Sequence, residues 1–308
     1  MFHFFGELKP YRQQKYLPFF SVGYFIAVLM MMTALVTLHY YPPAGWSIRP
    51  NSTSYRFLSS YILYLFPFAI SFLIQSLFFS EARHLKSKWL WVVIFLAPAI
   101  FSFRINFNFY GFFIDALITT KQQQYWYYLF NRLMKIITLL LPVSLFWFIK
   151  DRTVETLYGF KTAFHWQPYS LLVLLMLPAV AAASSHPSFL KAYPAAYYVI
   201  GSNQPGDLPL WILYELCYAL DFLSIEYFFR GLLVIALIKI CGMHSIIPAA
   251  CFYCCIHFGK PLPEAIGSFF GACLLGLISH HTRSIWPGLI LHIGVAASIE
   301  LLCYQQLT

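Results

Sequence analysis

Glu226 and Arg230 stand four residues apart inside the apolar run LDFLSIEYFFRGLLVIALIKI, residues 220–240, which also holds Asp221. On a helix that spacing puts carboxylate and guanidinium on one face, acid before base, the favourable order for a pair. His257 and His292 follow on two further apolar stretches. A carboxylate in an apolar setting holds its proton more tightly, and a histidine titrates near neutral pH, so together they can relay a proton from water. A second imidazole can donate to the oxyanion of a tetrahedral intermediate. Hydrolysis of a peptide bond fits such a set. Taken singly, each residue also has a structural role: Glu226–Arg230 as a packing ion pair, either histidine as a hydrogen-bonded core side chain. The functional reading rests on one acid and two histidines carried by three different helices, since ionisable groups inside spans are expensive.

The elements that must position them follow from composition. The chain has 308 residues, 60% hydrophobic and only 10% charged, with a mean hydropathy of +0.67. Soluble domains carry about 25% charged residues, so this is a polytopic membrane protein. The alternating ten-residue segments of an outer-membrane barrel are missing, and the spans must be helices. The predicted fold is all-α, a bundle of eight or nine spans over 17–41, 55–79, 88–103, 126–149, 168–184, 208–240, 243–258, 263–280 and 284–303. The stretch 208–240 is too long for one straight span and is expected to be kinked or divided. Segment 187–200 is short and broken by Pro194, and is expected at the interface.

Basic residues alternate between connecting segments. Lys9, Arg12 and Lys15, then Arg83, Lys86 and Lys88, then Lys150, Arg152 and Lys161 mark one side, which places the N-terminus in the cytoplasm. The opening MFHFFGELKPYRQQKY is polar and basic without a small-residue cleavage site, so no cleaved signal peptide is expected. The net charge of +9 is spread over these segments rather than clustered, and argues for topology, not nucleic acid. All seven cysteines fall in the last third, mostly on apolar helix, and read as packing residues. Composition shifts near residue 207, giving 1–206 as a transmembrane scaffold and 207–308 as the functional core.

Three motifs then stand out: EYFFRG at 226–231, YCCIH at 253–257 and SIWPGLILHIGVA at 284–296. In order and spacing they resemble the CAAX protease and bacteriocin-processing family of membrane proteases, over roughly residues 207–305. The resemblance implies an intramembrane glutamic protease in which a first-motif glutamate and the second-motif histidine activate water, while the third motif supports the oxyanion. Carried over, Glu226 and Arg230 belong to the first motif, Tyr253 and His257 to the second, and His292 to the third.

Two positions depart from the family pattern: Ile225 stands where the first glutamate of a pair is expected, and Ala296 where an Asn or Asp is expected. Asp221 lies four residues before the first and Glu300 four after the second. Each shares a helix face with the missing group, about one helical turn away along the axis. Asp221 is therefore a candidate catalytic residue beside Glu226, Arg230, His257 and His292. The leading expectation is an endopeptidase acting on a membrane-associated peptide or protein, in a bacterial inner membrane, without a cofactor. The alternative is an inactive relative serving as a binding, immunity or scaffold factor. Zinc held by Glu226, His257 and His292 is the minority alternative. Cys251, Cys254 and His257 also have a metal-like spacing, and His280 and His281 are expected at the interface.

Overall fold

The computed structural model describes residues 21–43, 53–79, 82–118, 123–152, 157–160, 164–200 and 207–307. The opening segment, on which the signal-peptide and N-terminal orientation expectations fall, lies outside the described residues. Among those described there is no strand. The helices are α1 (Val22–Tyr40), α2 (Thr53–Phe78), α3 (Lys88–Asn106), α4 (Tyr110–Leu117), α5 (Gln123–Lys150), α6 (Gln167–Ser184), α7 (Pro187–Leu190) and α8 (Ala195–Ile200). Then come α9 (Leu208–Glu226), a π-helix (Tyr227–Ile235), α10 (Ile238–Cys241), α11 (Ile246–Cys255), α12 (Leu262–Thr282) and α13 (Trp286–Leu307).

Eight helical stretches among the described residues are long and apolar enough to cross a membrane. One of them, Leu208–Cys255, has 48 residues, where about 20 suffice for a crossing. It doubles back at Gly242, whose φ of 54° suits a residue without Cβ. Phe228 and Phe229 then meet Phe252 across the hairpin, with ring centroids 5.9 and 5.2 Å apart. The returning limb packs along α2: His244 lies beside Phe79 at its start, and past its end the Lys260 carbonyl accepts from Tyr40 at the end of α1, 2.7 Å away. The expected division of 208–240 is thus a change of helix type at Glu226, not a break. The segment 187–200 forms the two short helices α7 and α8.

Apolar side chains make both the interior and the outer surface. Met30, Leu77 and Ile149 are among many large apolar residues left exposed, as lipid-facing positions must be. Inside, one core joins Tyr24, Phe68, Phe101 and Val143 from α1, α2, α3 and α5 to Phe228, Phe229 and Phe252 near the motifs. α2 packs on α11, α5 on α9, and α6 on α13. The N-terminal segment therefore braces the motif-bearing one over its whole depth. A buried polar thread reinforces this. Gln75 donates to the Tyr24 hydroxyl at 3.1 Å and to the His244 carbonyl at 2.7 Å, while His84 meets its side-chain oxygen at 2.7 Å.

Candidate active site

Glu226 closes α9 where the backbone widens into the π-helix. Such segments are rare and concentrate at functional sites. Here the wide turn keeps Arg230 on Glu226: guanidinium Nε and carboxylate Oε2 are 3.3 Å apart, with both side chains at most 2% exposed. The contact is one of charge and not of aligned hydrogen bonds, for Glu226 Oε2 and Arg230 Nε and Nη2 have no hydrogen-bond partner. Buried polar atoms are rarely left so, and each calls for an explanation.

The other carboxylate oxygen reaches a second helix. His292 of α13 places Nδ1 3.0 Å from Glu226 Oε1, and its Nε2 lies 3.2 Å from the Tyr253 hydroxyl of α11. Arg230 covers the Tyr253 ring, its guanidinium carbon 4.7 Å from the centroid. His257 follows α11 in a turn; its Nδ1 meets the Tyr253 carbonyl at 2.9 Å, and the two rings lie 4.7 Å apart. A carbonyl only accepts, so Nδ1 carries the proton and Nε2 keeps its lone pair. Phe222, one turn before Glu226, lies against the His292 ring with centroids 4.2 Å apart.

Gly288 makes this convergence possible. A Cβ there would stand 2.3 Å from Glu226 Oε2, so any other residue would evict the carboxylate. A cavity of about 380 Å³ opens between α9 and α13, lined by Trp211, Leu216, Phe222, Ile293, Ala296 and others, with Glu215 on its wall. The side of α13 one turn beyond His292, where Ala296 stands, is therefore open and apolar.

Four of the five sequence candidates meet here: Glu226, Arg230 and His292 directly, and His257 through Tyr253. Asp221 does not join them. Its carboxylate pairs with Arg104 Nη2 at 2.5 Å and accepts from the Ser224 hydroxyl at 3.0 Å. Five residues along an α-helix turn a side chain by about 140°, so Asp221 faces α3 and Arg104 while Glu226 faces α13. Glu300 accepts from the Ala195 backbone N–H at 2.8 Å, which anchors the start of α8. Glu226, His257 and His292 do not gather as ligands: among the described residues no three His, Cys, Asp or Glu side chains form a metal-holding group. The Cys254 thiol donates instead to the Ala265 carbonyl. His281 is exposed and His280 half-buried at the end of α12.

Sequence reasoning passed over Phe222, Gly288 and the Tyr253 hydroxyl. Phe222 and Tyr253 each precede a candidate by four residues, a spacing that shares a helix face. Gly288 carried no signal beyond its place in the third motif.

Residues 207–298 match the family model described as type II CAAX prenyl endopeptidase Rce1-like. No curated protein and no solved structure matches the chain. The matched region begins one residue before α9 and takes in Glu226, Arg230, His257 and His292. Over that region this multi-pass membrane protein is similar to the CAAX protease family, and the matched residues are the helix set that builds the Glu226 centre.

Proposed function

We propose that the protein is an intramembrane endopeptidase of glutamic type, hydrolysing a peptide bond in a membrane-associated peptide or protein. The observation that carries the reading is Glu226, fully buried and held between Arg230 and His292 at 3.3 and 3.0 Å. A carboxylate on Nδ1 fixes the imidazole tautomer and stabilises the cation formed when the ring takes a proton, so Glu226 and His292 together act as the proton acceptor. The lone pair on His257 Nε2 accepts a hydrogen bond from the attacking water and orients it. Arg230 Nη2, without a hydrogen-bond partner, supplies positive charge where the carbonyl oxygen becomes an oxyanion. Substrate reaches the centre from the lipid side through the cavity between α9 and α13.

Ile225 and Ala296 favour a second reading, an inactive relative that binds or shields a membrane partner. Ile225 is 7% exposed and brings no carboxylate to the centre. The test is the set of peptides released from membranes containing wild type, Glu226→Gln or His257→Ala, read by mass spectrometry. Products present with wild type and lost from both variants are expected. Identical profiles from all three would establish the second reading.

A further inference from the structure

Both nitrogens of His292 are engaged, Nδ1 by Glu226 and Nε2 by the Tyr253 hydroxyl. An ionised carboxylate only accepts, so Nδ1 carries the ring proton, Nε2 is the acceptor and the phenol is the donor. No lone pair of His292 then faces a bound water directly. A proton leaving that water reaches His292 by way of the phenol oxygen, whose own lone pairs remain free to accept.

The hydroxyl is held for that task. The Tyr253 ring stands edge-on to Phe229 with centroids 4.8 Å apart, under the Arg230 guanidinium at 4.7 Å and beside the His257 ring. An aromatic ring alone would satisfy the spacing of the second motif and all three of these contacts. The hydroxyl adds the 3.2 Å contact with His292, next to the Arg230 guanidinium. It does so in a centre from which Ile225 and Ala296 have removed two polar groups.

We propose that Tyr253 is a catalytic residue that carries the proton between the attacking water and His292. As the water oxygen bonds to the peptide carbonyl carbon, one water O–H bond breaks and its proton passes to Tyr253 Oη. At the same time the phenol proton passes to His292 Nε2, giving an imidazolium held by Glu226. When the tetrahedral intermediate collapses, the C–N bond breaks and the proton returns along the same path to the leaving amine nitrogen. Tyr253 and His292 finish as they began. This inference rests on the peptidase reading given above, and deepens it.

The experiment uses the full-length protein in liposomes with a pool of lipid-anchored peptides of random sequence, products being read by mass spectrometry. Wild type, Glu226→Gln and Tyr253→Phe are compared, then kcat and KM are measured on the best-cleaved peptide. Tyr253→Phe keeps the ring contacts, so its melting temperature and KM should match wild type while kcat falls about 100-fold or more. Replacing Tyr253 with 3-fluorotyrosine, which holds its proton less tightly, should move the kcat–pH profile to lower pH in a protein of unchanged fold. A Tyr253→Phe enzyme with wild-type kcat, beside an inactive Glu226→Gln, overturns the relay alone. Wild-type and Glu226→Gln products that do not differ overturn the peptidase reading, and the relay with it.

Discussion

Asp221 and Glu226 lie five residues apart on one helix, the first 13% exposed and the second fully buried, and each faces an arginine, yet the two pairs are built differently. Asp221 meets Arg104 from α3 at 2.5 Å, and Ser224 adds a hydrogen bond. One partner comes from a neighbouring helix and one from α9 itself, both donating to Oδ1, and neither Asp221 nor Arg104 has a buried polar atom without a hydrogen-bond partner. Glu226 meets Arg230 from its own helical run at 3.3 Å without alignment, and leaves three polar atoms of the pair without hydrogen bonds. A buried ion pair must be nearly fully satisfied before its attraction offsets desolvation. The first pair meets that condition and fastens α3 to α9. The second falls short of it, and is completed by an imidazole that can change its proton count. Satisfaction of hydrogen bonds, more than charge, separates the fastening from the proposed reactive centre.

Exchanging each carboxylate for its amide gives the largest contrast. Glu226→Gln should leave Arg230 buried without its counter-charge, at about 3 kcal/mol of stability, and lower peptide release per folded molecule by about 100- to 10,000-fold, the range for loss of a general acid–base group. Asp221→Asn should leave Arg104 stranded in the bilayer interior at about 3 kcal/mol of stability, seen as a lower denaturation midpoint in detergent. Cleavage per folded molecule should stay at the wild-type level. Activity lost at unchanged stability would instead put Asp221 in the reacting centre and erase the distinction.

A smaller effect sharpens the same contrast by geometry. Gly288→Ala brings a methyl group within 2.3 Å of Glu226 Oε2, and overpacking of this kind costs about 1–3 kcal/mol. Cleavage per folded molecule should fall by about tenfold or more as the carboxylate is displaced. Gly294→Ala is the control on the same helix: its Cβ would meet Val173 at 2.8 Å, away from Glu226. It should lower stability and leave specific activity alone.

The smallest effect belongs to a third polar cluster, at the turn before α3. Burial, helped by the neighbouring His244, pushes His84 down to about 4, from an ordinary value near 6.5. As pH falls the unfolded chain takes up this proton first, so folded stability should decline between about pH 6.5 and pH 4. His84→Gln should flatten that part of the melting temperature–pH curve without touching cleavage at neutral pH.

Much of this was legible in the sequence because a bilayer leaves few choices. Apolar runs of span length gave the helices, and the rarity of charge inside them singled out Glu226, Arg230, His257 and His292. What escaped was whatever depends on a second helix. Nothing local to Asp221 reveals that Arg104, 117 positions earlier, would claim it. Nor does spacing alone say which histidine would bind Glu226. His292 and not His257 does so because Gly288, one turn before it on α13, clears the space. The hairpin at Gly242 was read only as two adjacent spans, since helix type is set by packing and not by apolar periodicity.

The π-helix from Tyr227 to Ile235 bears on how such sequences can lengthen and shorten. Its hydrogen-bonded rings each enclose one more residue than those of an α-helix, as in the bond from Ala236 N–H to the Gly231 carbonyl. Removing a single residue downstream of Arg230 would let the segment relax to ordinary winding with its composition hardly altered. Because a π-turn is an α-helix that accommodates an extra residue, the side chains beyond the deletion would keep their facing, while Glu226 and Arg230 kept their four-residue interval. A motif search would score such a chain as intact, and only the wide turn beside the Glu226–Arg230 pair would be gone. In aligning relatives of this protein, a one-residue gap inside 227–235 therefore marks loss of that turn and not a shift of the helix that follows.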